Sequence, residues 1–338
     1  MLYDLRSGII NRFPKISGKF FWQEEKIMAK NYAIGVDIGG TNIRAALINS
    51  SGEVESKAKE STGSKPVAVI HKLIDSVYSK HSKQICGIGL AVAGIIDRDE
   101  GIVLRSPNIS GLTGVNLESE IKSRYKTCVV MENDANAAAY GEKCAGAGKD
   151  FKDFVILTLG TGIGGGIVMN NKLLPVAAEA GHMSIKADGQ PCACGNVGCL
   201  ESYASASAII GNAVSEIEKG SSSILKSMYN GNFYKINAED IYKAALEGDP
   251  LARTVLREAG KSLGIGLANL VNILSPDAII LTGGLLGAWN IYVEAAIQEA
   301  SKRALKELYS KVKIIPSSLG DNAGIIGAAK LVFEECRI

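Results

Sequence analysis

Four side chains that commonly bind metals are clustered between positions 182 and 199, and they are His182, Cys192, Cys194 and Cys199. Thiolates and a neutral imidazole are good ligands for Zn²⁺, and four of them close a tetrahedral structural site. The chain has only three histidines, so a chance neighbourhood of one histidine and three reduced cysteines is the weaker alternative. Because four protein ligands leave no position for water, the spacing predicts a zinc ion that holds a loop and does no chemistry.

A second group of polar residues opens the segment ENDANAAA at 132–139, where a strand pattern changes to an alanine-rich helix pattern. Capping alone would explain one of these residues, because Asn and Asp are favoured before a helix, but not Glu132, Asn133 and Asp134 in a row. We expect Asp134 to accept a proton from a substrate hydroxyl, while Asn133 forms a hydrogen bond with a neighbouring hydroxyl.

Two glutamates flank the cysteine cluster. Glu179 lies three residues before His182, and Glu201 follows the last cysteine after one leucine. A zinc-bound histidine still has a second ring nitrogen that can donate to a hydroxyl. The three side chains could therefore form one polar wall, although a solvent-exposed glutamate is the simpler interpretation of Glu179 from the residues alone.

Three glycine turns each follow an apolar strand pattern: DIGGTN at 37–42, GTGIGGG at 160–166 and TGG at 282–284. Backbone N–H groups in such turns can cradle phosphate, and a carboxylate at a strand end can orient Mg²⁺. The alternative is three ordinary tight turns. None has the GxxxxGK[ST] spacing and no GxGxxG opens a helix, which disfavours Walker-type and dinucleotide folds. The predicted nucleotide and magnesium contacts are Asp37, Gly39, Gly40, Thr41, Asn42, Thr161, Gly162, Gly283 and Gly284.

The elements that must position these residues alternate between strands and helices, which predicts an α/β protein. Beyond the two strand–turn–strand units, strands are expected near 85–94, 128–133, 277–284 and 311–318. Helices are expected near 65–80, 116–125, 134–144, 201–219, 238–246, 250–274, 292–308 and 324–335. Residues 36–49 can be laid on 157–170 without a gap, so the chain is expected to consist of two related halves.

Composition limits the classes of protein that are possible. The 338 residues, 46% hydrophobic and 21% charged, are enough for two globular domains. The net charge is +2, so neither a nucleic acid nor a membrane surface is expected as a partner. No apolar run approaches the roughly 20 residues of a membrane helix, and the first 28 residues lack the apolar core of a signal peptide.

These absences predict a cytoplasmic protein, and the remaining cysteines agree with it. Cys86, Cys128, Cys144 and Cys336 are scattered and are interpreted as ordinary small residues of the core or surface. Residues 1–30 show no periodicity and are interpreted as a tail. Met28 is hypothesised to be the natural start, which N-terminal sequencing of the native protein would test.

Taken together, these motifs resemble the ROK family of bacterial sugar kinases and regulators over residues 32–335. DIGGTNIRAAL resembles the family's first phosphate motif, LGTGIGGG the second and LTGG the adenosine motif. SPN at 106–108 and ENDANAAA resemble its sugar-binding and catalytic segments. EAGHM at 179–183 with CACGNVGCLE at 192–201 is similar to the zinc signature, which is the most specific of these matches.

The resemblance implies an actin-like ATPase fold of the ribonuclease H-like type, with a cleft between two domains. The smaller domain would comprise 31–145 and 321–338, and the larger one 146–320 with the zinc-binding loop. Asp134 would be the general base on the sugar 6-hydroxyl, with ATP, Mg²⁺ and Zn²⁺ as cofactors and a homodimer or homotetramer as the assembly. The side chains implied to line the sugar are Asn108, Asn133, Asp134, Glu179, His182 and Glu201.

The leading expectation is an ATP-dependent kinase that converts D-glucose to glucose 6-phosphate. One departure bears on the sugar, because the segment 169–183 is shorter than in family glucokinases and lacks their glycines. An N-acetylmannosamine, N-acetylglucosamine or fructose kinase is therefore the alternative. A sugar-responsive repressor is less favoured, since such regulators carry a helix-turn-helix domain of about 60–80 residues and only about 30 residues precede Tyr32 here.

Overall fold

A computed structural model describes residues 32–78, 84–106 and 108–336. The strands of these residues are β1 (Tyr32–Ile38), β2 (Asn42–Asn49), β3 (Val54–Ser61), β4 (Ile85–Val92), β5 (Ile95–Asp97), β6 (Ile102–Arg105), β7 (Cys128–Asn133), β8 (Phe154–Leu159), β9 (Ile163–Met169), β10 (Lys172–Leu173), β11 (Ala278–Thr282) and β12 (Lys313–Pro316). The α-helices are α1 (Pro66–Tyr78), α2 (Leu117–Tyr125), α3 (Asp134–Ala145), α4 (Glu201–Ala204), α5 (Ala206–Glu218), α6 (Ala238–Leu246), α7 (Pro250–Leu274), α8 (Glu294–Arg303), α9 (Lys306–Tyr309) and α10 (Ala323–Glu335).

Two five-stranded sheets share one topology. The first has the order β3-β2-β1-β4-β7 and the second the order β10-β9-β8-β11-β12. In each sheet the first three strands form an antiparallel meander, and the last two continue parallel to the third. The matching order confirms the prediction of two related halves.

Helices α3 and α10 pack against each other and connect the two sheets. α10 contacts β1 and β4 of the first sheet, while α3 contacts β8 and β9 of the second. The buried residues of both helices are largely alanine and glycine, which lets helix and sheet backbones approach closely. The sheets otherwise have separate cores, one built around β1, β4 and α1, the other around β8, β11 and α7.

Several predicted element boundaries hold, and others fail for local reasons. The helices predicted at 238–246 and 250–274 match α6 and α7. The predicted helix 201–219 is divided because Ser205 is extended and caps α5, accepting a hydrogen bond from Ala208 N at 3.2 Å. The predicted helix 292–308 is also divided, since Ala304 adopts an extended conformation after α8. The hairpin β5–β6 was not predicted.

The glycine- and alanine-rich stretch of α7 packs inside its own half of the molecule. A Cβ atom at Gly260 would lie 2.2 Å from the Tyr292 carbonyl oxygen, and one at Gly264 would lie 2.5 Å from that of Ala296. These glycines therefore allow α7 and α8 to approach closely. The predicted homodimer or homotetramer consequently receives no support from this helix and stays a prediction.

The interpretation of Cys128 and Cys336 as ordinary cysteines is wrong. Their sulfur atoms form a disulfide that joins the start of β7 to the end of α10. No local pattern indicated this bond, because the two residues are 208 positions apart. Across the described ranges, no helix combines the length and the apolar character that a bilayer span requires. The predicted tail 1–30, the proposed start at Met28 and Pro107 of the SPN motif lie outside the described residues.

Candidate functional site

Asp134 is the first residue of α3, at the end of β7. The N-cap of α3 is Asn133, whose Oδ1 accepts hydrogen bonds from Ala135 N at 2.9 Å and Asn136 N at 3.2 Å. The Asn133 Nδ2 donates to the Gly94 carbonyl at 3.0 Å, which leaves one amide hydrogen for a ligand. Capping thus explains Asn133, the one residue that capping alone was expected to explain. It also fixes the backbone direction at Asp134.

Burial and nearby negative charges raise the pKa of Asp134 to near neutral pH. Desolvation raises its pKa to about 7, and the negative charges of Asp37 and Glu179 act in the same direction. Asp37 lies at the end of β1, and burial raises its pKa to about 6 although Arg44 lowers it. A carboxylate with a pKa near the working pH is suited to act as a general base.

The first glycine turn is fastened at both ends. Gly39 N donates to the Asn42 carbonyl at 3.1 Å, and Thr62 Oγ1 donates to the Gly39 carbonyl at 2.6 Å. A Cβ atom on Gly40 would lie 3.0 Å from the Cβ of Asn108, so the absence of a side chain lets this turn rest against Asn108. Asn108 and Thr41 are exposed and can reach a ligand.

An ion pair joins Asp37 to a distant part of the chain. Arg44 Nη1 lies 3.6 Å from Asp37 Oδ2, and Arg44 Nη2 lies 3.1 Å from Asp321 Oδ2. The Arg44 Nη1 also donates to the Asp321 carbonyl at 2.9 Å. The sequence motifs did not predict that Thr62, Arg44 and Asp321 belong to this site. Arg44 could have been found, because it faces Asp37 in the hairpin register, whereas Asp321 had no local signal.

The second and third glycine turns lie side by side because Thr158 of β8 is paired with Thr282 of β11. Thr158 Oγ1 accepts from Gly164 N at 3.1 Å. Gly283 has a φ of 107° and approaches the Leu159 carbonyl, a position that requires glycine. Thr161 and Gly284 are exposed at the tips of the two turns. Backbone amides of both turns can therefore face one phosphate-bearing ligand.

Glu201 links the second glycine turn to the cysteine loop. Its Oε2 accepts a hydrogen bond from Ile163 N at 2.8 Å. A Cβ atom on Gly162 would lie 2.4 Å from this oxygen, so a side chain at 162 would displace the carboxylate. Glu201 is also the first residue of α4, two positions after Cys199. One of its oxygens thus holds the turn, and the other is left for a ligand.

The four predicted metal ligands come together. Their ligand atoms all lie within 4.8 Å of one another. Cys194 Sγ is 3.6 Å from Cys199 Sγ, and Cys192 Sγ is 3.7 Å from His182 Nδ1. Zinc bonds of about 2.3 Å to sulfur and about 2.0 Å to nitrogen give tetrahedral edges of roughly 3.5–3.8 Å. The donor set and its spacing therefore fit Zn²⁺.

The other nitrogen of the histidine lies near Glu179. His182 Nε2 lies 3.8 Å from Glu179 Oε2, while Nδ1 is directed at the cysteines. Both side chains are about one-third exposed. Glu179 thus neighbours His182, and its charge also raises the pKa of Asp134. Glu201 holds the second glycine turn.

Comparison with known proteins shows which family the chain resembles. The ROK family model matches residues 33–335. The glucokinase of Streptomyces coelicolor is 36% identical over 314 residues, which cover 89% of this chain and 97% of the relative. The xylose repressor of Bacillus subtilis is 33% identical, with 90% of this chain and 77% of the relative covered.

A solved structure resembles the whole described fold. The ROK family glucokinase of Streptomyces griseus, in complex with glucose and AMPPNP, has a TM-score of 0.80 and 34% identity, with 90% of this chain and 99% of that chain covered. This similarity confirms the predicted α/β class and the actin-like ATPase fold.

Proposed function

The chain belongs to the ROK family, and from this premise we propose that it is an ATP-dependent glucokinase that phosphorylates the 6-hydroxyl of D-glucose. The observation that carries the proposal is the position of Asp134. This carboxylate has a pKa raised to about 7 and lies at the start of the helix that connects the two glycine-turn sheets.

The chemistry requires one base and good positioning. The carboxylate of Asp134 takes the proton of the sugar 6-hydroxyl while the oxygen of that hydroxyl bonds to the γ-phosphorus of ATP. The bond from the γ-phosphorus to the β,γ-bridging oxygen breaks at the same time and releases ADP. Because the transition state is loose, the proton can leave late. A base with a pKa near 7 is then ionised at neutral pH and still basic enough to accept the proton.

The phosphates are assigned to the three glycine turns. Backbone N–H groups at 39–42, 160–162 and 283–284 would bind the phosphate oxygens of ATP. Asp37 would hold Mg²⁺ or its waters, and the ion would neutralise charge on the transferred group. The Asp37 carboxylate is partly buried and fits this role, since a divalent cation would supply the positive charge that Arg44 provides only from 3.6 Å.

The sugar is assigned to six side chains, Asn108, Asn133, Asp134, Glu179, His182 and Glu201. Hydroxyl groups are recognised best by paired acceptors and amides, and this set provides both. Zinc bound to His182, Cys192, Cys194 and Cys199 would fix the loop that carries Glu201 and orient the free ring nitrogen of His182. The metal would hold one wall of the sugar site and take no part in phosphoryl transfer.

The hexose kinases for N-acetylated sugars and for fructose remain the alternative. A coupled assay with ATP over D-glucose, N-acetylglucosamine, N-acetylmannosamine and D-fructose tests the choice. We expect the highest kcat/KM with D-glucose, and for Asp134→Asn a kcat lowered by about 10²–10⁴-fold with every sugar that wild type phosphorylates. A higher kcat/KM for an N-acetylhexosamine would overturn the glucose assignment and leave the kinase assignment intact.

A sugar-responsive repressor is the second candidate, because xylose repressors are among the relatives. A sensor needs to bind a sugar but needs no base on the 6-hydroxyl, and so the placement of Asp134 favours the kinase. Titration of the protein with genomic DNA fragments from sugar operons tests this point. A sequence-specific complex that weakens steeply with salt, together with absent turnover, would support the repressor.

We also propose the domain division expected from the sequence, with 31–145 and 321–338 in one domain and 146–320 in the other. Packing of α10 against β1 and β4 supports the return of the C-terminal segment to the first domain. A cytoplasmic location fits an enzyme that consumes ATP. The Cys128–Cys336 bond is unusual there, and counting free thiols in freshly lysed cells would show whether it forms.

A further inference from the structure

A cavity of about 840 Å³ runs along the outer edge of β7. It is bounded by the hairpin β5–β6 on one side and by residues 175–177 on the other. Its volume falls within the roughly 300–1,000 Å³ of small-molecule sites. Asp134, His182 and Glu201 do not line it, so it is separate from the catalytic centre although Asn133 contacts both.

A buried amide on the cavity wall has an oxygen with no donor. Asn136 is 3% exposed, and its Nδ2 donates to Glu132 Oε1 at 3.2 Å and to the Val176 carbonyl at 3.0 Å. Both partners are acceptors, so exchanging Nδ2 and Oδ1 of this amide would bring Oδ1 against two other oxygen atoms. Asn136 Oδ1 is therefore the acceptor left over, and it has no hydrogen-bond partner. An unpaired buried acceptor is costly, which favours a ligand that donates to it.

A second acceptor lies beside the first. Glu132 is 2% exposed and its Oε1 accepts from Asn133 N at 2.8 Å. Its Oε2 is 3.0 Å from Arg98 Nη1, which balances the charge, but no aligned hydrogen bond reaches this oxygen. Arg98 Nη2 in turn donates to Glu335 Oε1 at 3.0 Å. The floor of the cavity thus holds two buried acceptors that lack hydrogen-bond donors, beside a partly engaged guanidinium.

The walls combine apolar and acidic side chains. Ile95, Leu104 and Val176 line the cavity and are 40%, 51% and 46% exposed, which is unusual for large apolar residues. The charged residues of the lining are Asp97, Arg98, Asp99, Glu118, Glu132 and Glu335. This excess of carboxylates repels phosphates and nucleotides. A neutral ligand whose hydroxyls donate to the floor, and whose C–H faces lie on the apolar walls, matches the chemistry.

We propose that this cavity is a second carbohydrate site, which binds a neutral sugar behind the catalytic base. The sugar is either a free monosaccharide or the outer ring of a disaccharide whose other ring occupies the hexose site. Asn133 and Asn136 belong to the first turn of α3, so the occupant contacts the same turn that positions Asp134. The occupancy itself does not depend on the proposed kinase function, because it requires no turnover.

Equilibrium dialysis of the full chain with labelled D-glucose and with cellobiose, without ATP, tests the proposal. Leu104→Arg introduces a bulky cation at the cavity wall, and because Leu104 is half exposed the variant should fold. Leu246→Arg is the matched control, since Leu246 is 52% exposed at the end of α6. Asn136→Ala removes the unpaired acceptor as a second, independent variant.

Either of two results would support the site. If the ligand is a free sugar, wild type and Leu246→Arg bind about two glucose molecules per chain, and Leu104→Arg and Asn136→Ala bind about one. If it is the ring of a disaccharide, cellobiose binds at least about tenfold more weakly to both cavity variants, a loss of about 1.4 kcal/mol, while glucose affinity changes little.

Two results would overturn it. One is a single glucose equivalent together with equal cellobiose affinity in wild type and both cavity variants, as a water-filled cavity predicts. The other is an equal loss of glucose or cellobiose binding in Leu246→Arg, which would place the effect outside the cavity. Failure of the kinase assignment would be recognised separately, by absent turnover in wild type while the Leu104→Arg effect on binding persists.

Discussion

The two strand–turn–strand units have the same backbone but different chemistry at the same position. In the first unit Asp37 ends β1 and faces Arg44 across the hairpin, 3.6 Å away. In the second unit Thr158 occupies the corresponding place and accepts a hydrogen bond from Gly164 N at 3.1 Å. The duplicated fold therefore supplies two glycine turns for which phosphate binding is proposed, and only the first has a carboxylate at this strand position.

The difference extends to what each turn is attached to. The first turn is held by Thr62 and, through Arg44, by Asp321 in front of α10. The second turn is held by Glu201, whose position depends on the cysteine loop. Damage to the predicted metal cluster should therefore reach the proposed sugar wall and the second turn, while the carboxylates of the first half stay in place. The following predictions test this separation, in order of their expected effect on turnover.

Replacement of the proposed base should have the largest effect. Asp134→Asn is expected to lower kcat by about 10²–10⁴-fold, because general-base catalysis contributes that much, while glucose binding by calorimetry changes little. Asp150→Asn, an exposed aspartate outside the cleft, is the control. Turnover within a few-fold of wild type would refute the assignment of the base to Asp134.

The same variant should melt at a higher temperature at pH 8. The pKa of Asp134 is about 7 in the folded chain against 3.8 for a solvated aspartate, so keeping the carboxylate ionised costs stability that appears as pH rises through this interval. Below pH 3.8 the two proteins should differ least. A lower melting temperature for Asp134→Asn at pH 8 would mean that the carboxylate is not held in a desolvated place.

The corresponding positions of the two units should respond unequally. Asp37→Asn removes the proposed magnesium carboxylate and should lower kcat by about 10²-fold, with a higher requirement for Mg²⁺. Thr158→Val removes one neutral hydrogen bond from the second turn and should lower kcat by less than about tenfold. Equal losses in the two variants, measured in the same coupled assay, would contradict the division of labour between the halves.

The pH dependence of kcat should reflect the carboxylates of the first half only. Asp134 must be ionised to accept a proton, so kcat should fall about tenfold per unit as pH drops below about 7. Protonation of Asp37, with its pKa of about 6, should steepen the fall further. Thr158→Val should retain this acidic limb unchanged, whereas a profile flat from pH 5 to 8 would argue against both carboxylates.

The sequence predicted the parts of this site that are local and missed those that are remote. The glycine turns, the capped start of α3 and the cysteine loop are each contained in a short segment whose spacing implies its geometry. Arg44–Asp321, Glu132–Arg98 and Cys128–Cys336 join residues that only the folded sheets bring together. The breaks at Ser205 and Ala304 were missed because capping and packing override a continuous apolar pattern there.

Disruption of the metal cluster should have the smallest effect on kcat and a clear effect on the sugar. Cys194→Ser is expected to reduce zinc from about one ion per chain and to raise the KM for glucose by roughly tenfold, because the loop that carries Glu201 loosens. Cys144→Ser, outside the cluster, is the control and should retain its metal. Because Asp134 and Asp37 lie on the first half, the acidic limb of the pH profile should survive in Cys194→Ser. A variant that lost zinc but kept its KM and melting temperature would show that the metal does not hold this wall. A large loss of kcat would show that the two halves are coupled more tightly than the separate contacts of the two turns imply.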